Sequence, residues 1–243
     1  MIPLPRRALR QLGTLATLLL VSTAMGCSGL GGPRPEGLPD GINDTFLSED
    51  LDVEKYVERF EGESRAVFAE RHAIVDALAL SPGDAVADIG AGTGFFSLLL
   101  NEAVARAGTV YAVEISPRFL AHLRERAATE APDTMRVVEG NARSVALPDA
   151  SIDLAFICDV YHHFEYPEDS LASLHAAIRP GGSLVLIDFE RIAGESPKWL
   201  LKHVRAGRDV FRAEIEAAGF RLAEEIELDG LDDNYFLRFD RIE

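Results

Sequence analysis

The apolar residues Val53, Tyr56, Val57, Phe60, Val67, Phe68, Ile74, Val75 and Leu78 recur at helical spacing, with a break at Glu61-Gly62, and predict two helices. After the turn Ser81-Pro82-Gly83-Asp84 the pattern changes. Residues 85–89 form a short apolar run ending in glycines, which reads as a first strand. Strand-like and helix-like segments then alternate. Helices are expected over 95–107, 117–130, 167–178 and 208–218, and strands over 109–113, 136–139, 154–158, 183–188, 221–228 and 235–241. Such alternation indicates parallel βαβ units and a doubly wound, Rossmann-like α/β sheet with extra N-terminal helices. No helix separates the last two strands, so they predict an antiparallel hairpin at one side of that sheet.

Composition adds little to this picture for the folded part. Of 243 residues, 47% are hydrophobic and 26% charged, which suits one globular domain and suggests neither a disordered chain nor a multi-span membrane protein.

The first residues are different. Arg6, Arg7 and Arg10 precede an uncharged run over 11–26, the n-region and h-region of a secretory signal. The run is shorter than the roughly 20 apolar residues of a spanning helix, so cleavage is favoured over an anchor. Its end, Ala24-Met25-Gly26-Cys27, resembles a lipobox with Ala24 where leucine is usual, which implies a lipidated Cys27. The Gly- and Pro-rich stretch that follows suits a tether. The chain thus divides into a signal peptide (1–26), a flexible tether (27–51) and a folded domain (52–243). Export as a membrane-anchored lipoprotein follows, whereas translation from Met25 would leave the domain in the cytoplasm. Cleavage removes three arginines and no acid, moving the net charge from −16 to −19. That balance argues against nucleic acid as a partner. With Cys27 the lipid site, Cys158 is left without a disulfide partner and reads as a small buried hydrophobe.

The strongest chemical signal is Val86-Ala87-Asp88-Ile89-Gly90-Ala91-Gly92-Thr93-Gly94-Phe95-Phe96. Gly90, Gly92 and Gly94 let the turn after the first strand approach a ligand, and the next helix offers free N–H groups. The spacing is GxGxG rather than the GxGxxG of dinucleotide sites, and Asp88 stands where a carboxylate faces a cation better than a pyrophosphate. S-adenosylmethionine (SAM), with an ammonium and a sulfonium, is such a ligand. Glu114 ends the second strand, 20 residues beyond Gly94, at the distance where a carboxylate can accept from ribose hydroxyls.

Together with the segments 110–116, 147–155 and 178–184, this loop resembles the class I SAM-dependent methyltransferases. The branch related to quinone-biosynthesis C-methyltransferases is the most similar, and the likeness runs over about 53–239. The resemblance implies a seven-stranded sheet with an antiparallel last strand. It also implies cofactor contacts from Asp88, Gly90, Ala91, Gly92 and Gly94, from Glu114 on the ribose, and from Ile115 against the adenine. Asn141-Ala142 stands where the family commonly has Asp-Ala, and asparagine still accepts through its carbonyl oxygen. Asp159 is implied near the methionine moiety or the acceptor.

The acceptor side is less legible. Tyr161-His162-His163-Phe164 follows the fourth strand, so His162, His163 and Asp159 are the catalytic candidates. Adjacent residues do not face the same way, and no further Cys/His/Asp cluster completes a site, so no metal is expected. Glu190-Arg191 and His203-Val204-Arg205 lie on the ligand side of the sheet and are either acceptor contacts or solvated loop charges. Tyr56 and Phe60 are either a lid or plain packing. The expected activity is methyl transfer to a small or lipid-like acceptor. A SAM-binding module without transfer stays open, and an NAD oxidoreductase fits the loop spacing poorly.

Overall fold

The computed structural model describes Met1 and residues 31–243. The expected signal segment, the expected lipidation at Cys27 and the start of the expected tether lie outside the described residues. Gly31–Glu243 folds as one unit. Among the described residues, no helix is long and apolar enough to cross a membrane.

Seven strands form one sheet in the order β3-β2-β1-β4-β5-β7-β6. They are β1 (Ala85–Ile89), β2 (Thr109–Glu114), β3 (Met135–Glu139), β4 (Ile152–Cys158), β5 (Ile178–Phe189), β6 (Phe220–Glu225) and β7 (Asn234–Arg241). The first five are parallel, and β7 inserts antiparallel between β5 and β6. The hairpin expected from the pattern and the antiparallel last strand implied by the resemblance are both present. Strand order reverses between β1 and β4, and ligands of open α/β sheets bind outside the carboxyl ends at that point.

Both faces of the sheet are covered, which is why its strands are near-continuous apolar runs. Val86 and Phe156 point to one side, where Phe96, Leu100 and Val104 of α5 (Phe95–Val104) pack with Ile74 and Leu78. Ala87, Ala155 and Ile157 point to the other, against Leu171 and Leu174 of α7 (Pro167–Ala177) and Phe211 and Ile215 of α9 (Arg208–Ala217). On the third flank, α6 (Pro117–Glu130) starts with Pro117 at its first turn, and the Ser116 hydroxyl accepts from the Phe119 N–H.

Three features differ from the pattern-based expectation. The helical stretch before β1 breaks at Glu61-Gly62 as expected, but its second half splits at Glu70. The result is α2 (Val53–Phe60), α3 (Ala66–Ala69) and α4 (Arg71–Ala77). A short helix α8 (Lys198–His203) follows Pro197, in a stretch whose apolar content is too brief for periodicity to register. The tether also ends well before residue 51. Ile42, Asn43 and Leu51 are buried, α1 (Asp44–Leu47) packs there, and the Asn43 side chain donates to the His163 carbonyl at 3.1 Å and to Glu165 at 3.0 Å. Glycine and proline set the composition of this stretch, but three side chains anchor it.

Candidate functional site

A cavity of about 1020 Å³ opens at the strand-order reversal. It is at the top of the roughly 300–1,000 Å³ range of small-ligand cavities, enough for two molecules side by side. One end is the glycine loop. Gly90 and Ala91 N–H groups both donate to the Val113 carbonyl at 2.8 and 3.1 Å, folding the loop over the end of β2. Gly90 has φ +70°, and a Cβ there would meet Val160 Cγ1 at 2.5 Å, so only glycine fits. Asp88 is buried and accepts from the Ser97 hydroxyl at 2.5 Å. Burial, reinforced by the nearby Glu114 carboxylate, pushes its pKa from 3.8 up to about 7. Glu114, also buried, accepts from the N–H groups of Gly92 at 2.9 Å, Ile115 at 2.7 Å and Ser116 at 2.9 Å. Burial raises its pKa, while these three donors hold it back. The Thr93 hydroxyl beside them is buried without a partner. Two buried acids, an unpartnered hydroxyl and a backbone cradle fit a cationic, ribose-bearing ligand.

The rest of the lining is built from residues far apart in sequence and begins at the loop itself, where Phe60 stands beside Gly92. Phe46, Tyr56, Phe60 and Phe119 form an aromatic wall, with neighbouring ring centroids 5.3–6.4 Å apart. The 3₁₀ turn Tyr161–His163 after β4 presents two imidazoles whose centroids are 4.4 Å apart, and His203 at the end of α8 lies 5.1 and 5.0 Å from them. His162 is buried with Nδ1 2.8 Å from Asp188 Oδ1, and His163 Nδ1 lies 3.1 Å from Asn43 Oδ1. Burial, together with the two other imidazoles, lowers the His163 pKa to about 2. His203 shifts down too, through burial, His162 and the nearby Arg59.

A methyltransferase-domain family matches residues 87–186, which span the glycine loop, Glu114 and the histidine turn. The solved SAM-dependent methyltransferase from Aquifex aeolicus superposes with a TM-score of 0.67 at 21% identity, covering 79% of this chain and 99% of its own. The fold is that of the class I SAM-dependent methyltransferases. Two curated relatives are methyltransferases by name. The demethylmenaquinone methyltransferase of Thermus thermophilus is 31% identical over 104 residues, 43% of this chain and 46% of its own. The malonyl-[acyl-carrier protein] O-methyltransferase of Serratia marcescens is 33% identical over 104 residues, 43% of this chain and 38% of its own. The chain spans a third to a half of the length of the curated relatives it matches.

Within the methyltransferase fold, Asp88, Gly90, Ala91, Gly92, Glu114, Ile115, Asn141, Ala142 and Asp159 all line the one cavity. Gly94 does not. With φ +84° it starts α5, and a Cβ there would meet Leu123 Cδ2 at 2.6 Å, so it serves helix packing. Asn141 Oδ1 already accepts from the Arg143 N–H at 2.9 Å, leaving one lone pair for a ligand.

Asp159 is not poised for chemistry. Its oxygens accept from Arg65 at 2.8 Å and Asn234 at 2.7 Å, and its backbone takes the left-handed conformation at φ +52°. It binds three separated segments together at the cavity wall. Cys158 lines the same wall, half-buried rather than fully inside, with burial pushing its thiol pKa well up.

The two charged loops divide. Arg191 donates to the Val204 and Leu201 carbonyls and Arg205 pairs with Glu214, so both are structural, and of these residues only His203 faces the cavity. The expectation that adjacent histidines point apart fails because the 3₁₀ turn tightens the backbone and brings both rings to one side. Asp188, Asn43, Arg65 and Asn234 escaped sequence reasoning. Asp188 ends the fifth strand, where a buried acid in an apolar run is the one signal that would have found it.

Proposed function

We propose that this protein transfers the SAM methyl group to a small, ring-bearing or lipid-like acceptor of the quinol or phenol class. The observation that carries the reading is one cavity whose lining joins two different chemistries. Buried acids and backbone donors lie at the glycine loop, an aromatic wall runs from Phe60 beside Gly92 to Phe46 beside His163, and three imidazoles gather beyond it. When bound, SAM supplies an electrophilic methyl on its sulfonium. Asp88 would hold the cationic end, Glu114 and Asn141 the nucleoside end, and Ile115 would pack on its ring. The aromatic wall and the half-buried helix α2 exclude water, and methyl transfer asks of the protein mainly alignment at about 3–3.5 Å. His162, fixed by Asp188, and His163, fixed by Asn43, would contact the acceptor's reacting group. The acceptor class is supported by the aromatic wall and by the names of relatives acting on demethylmenaquinone. We propose also that residues 1–26 direct export and that Cys27 anchors the domain to a membrane, where lipid-like acceptors reside.

The test is titration of SAM into the full chain, with Asp88→Ala beside it, followed by incubation with methyl-labelled SAM and a set of quinols and phenols. Binding lost in the variant and label transferred to a quinol are the expected results. A folded chain without SAM affinity ends the reading, and SAM binding with no label in any acceptor favours a binding module.

A further inference from the structure

The imidazoles of His162, His163 and His203 converge from two segments 40 residues apart, each offering a nitrogen within 4.8 Å of the other two. Packing alone does not ask for this. Three imidazoles in van der Waals contact leave nitrogen lone pairs facing one another, where an apolar side chain would be cheaper.

The hydrogen bonds behind the cluster sharpen the point. His162 Nδ1 is held by a buried carboxylate, and His163 Nδ1 by an amide oxygen. Both Nδ1 atoms therefore carry a proton, so the lone pair that each ring can offer a ligand is on Nε2. An imidazole whose outer nitrogen donates to a carboxylate or carbonyl is the arrangement that orients histidine on a metal ion.

We propose that His162, His163 and His203 form a three-nitrogen site for a divalent ion of the zinc class. Three neutral imidazoles with a fourth position open is a ligand set of catalytic zinc, and imidazole also suits cobalt, nickel and copper. Around a tetrahedral ion with Zn–N near 2.0–2.1 Å the nitrogens stand about 3.4 Å apart, so no pair need close by more than about 1.4 Å. Rotation of the His203 ring, whose χ2 torsion is soft, supplies this. Arg59 and Lys202 line the same cavity, so the open position favours an anionic oxygen or sulfur over a neutral ligand. That the anion is the methyl acceptor rests on the proposed function; the binding of the metal does not.

Untagged full chain, stripped with a chelator, is titrated with Co²⁺ while its visible absorption is followed, and Zn²⁺ is then added in competition. One equivalent of Co²⁺ should bind with the intense bands of a four- or five-coordinate ion, and one equivalent of Zn²⁺ should displace it. His203→Ala, at the half-exposed end of a short helix, should weaken binding at least tenfold with the circular dichroism unchanged. His163→Ala should do the same, and His72→Ala, outside the cavity, should not. Wild-type protein that binds SAM but takes up no stoichiometric Co²⁺, or uptake unaffected by either histidine variant, overturns the site. Protein that binds Co²⁺ but not SAM keeps the site and overturns the function.

Discussion

Asp188 holds His162 at two points: Oδ1 lies 2.8 Å from the imidazole Nδ1, and Oδ2 accepts from the His162 backbone N–H at 3.2 Å. Oδ1 also accepts from the Phe189 N–H at 2.8 Å, so the carboxylate is fixed by the strand that carries it. One side chain thereby sets both the turn and the ring. Asp188→Asn puts an N–H where one of these acceptors was, so one bond is lost and the Nδ1–H tautomer is no longer enforced. Imidazole ¹⁵N spectra should change from one tautomer to a mixture, and methyl transfer should fall by about 10–100-fold while SAM affinity holds. An unchanged tautomer with an unchanged rate would remove Asp188 from the site as a positioning residue.

Asp88 makes SAM binding depend on pH. Its folded pKa, about 7, is above the 3.8 of an exposed carboxyl, because burial opposes the charged form. In the empty protein the group therefore favours folding at low pH, and that contribution is lost as pH rises from 3.8 through about 7. A cationic ligand needs the carboxylate, so below about 7 its binding must expel a proton. Affinity should climb with pH and level off above that point. Calorimetry in buffers of different ionisation heat should show proton release on the slope and none on the plateau. Asp88→Asn should bind weakly at every pH, and a slope surviving in that variant would assign the titration elsewhere.

The division between what the sequence reveals and what it hides follows the reach of each interaction. Asp88, Gly90 and Gly92 lie within five residues, and their chemistry is local: a strand end, a turn and a helix start. The same holds for Glu114, whose partners Ile115 and Ser116 are its next neighbours. The acceptor end is assembled by tertiary structure. His203 reaches His162 from a helix too short to leave a periodic trace, and Asn43 reaches His163 across 120 residues from a stretch whose glycines and prolines look like a linker. Gly94 marks the opposite case, since its spacing matches a ligand loop while its actual constraint is Leu123 on a neighbouring helix.

Asp159 pairs with Arg65 from α3's N-terminal flank and with Asn234 from β7. Its side chain is 5% exposed and that of Arg65 25%, so removing the guanidinium leaves a nearly buried carboxylate with only the amide for support. A fully buried pair broken in this way costs roughly 3–5 kcal/mol, and the partial exposure of Arg65 lowers the expected figure to about 2–4 kcal/mol. Arg65→Ala should shift the urea midpoint accordingly. Asp159→Asn in the same background should recover part of the loss, since it removes the stranded charge. Additive losses in the double-mutant cycle would mean that the two groups do not share an interaction.

Gly90 combines two constraints that a single substitution can separate. Its φ of +70° costs an L-residue about 1–2 kcal/mol. The Cβ of alanine would also sit 2.5 Å from Val160 Cγ1 and 2.8 Å from Cγ2, a crowding of the kind that costs about 1–3 kcal/mol. Gly90→Ala should therefore lower stability by about 2–4 kcal/mol and weaken SAM binding by moving the loop off the end of β2. Shortening the neighbour in Gly90→Ala/Val160→Ala relieves the crowding but not the backbone strain. The double variant should regain roughly half of the lost stability in urea unfolding, after correction for the cost of Val160→Ala alone. Full recovery would show that sterics against Val160 are the whole reason for glycine at this position, and no recovery would place that reason in the left-handed turn.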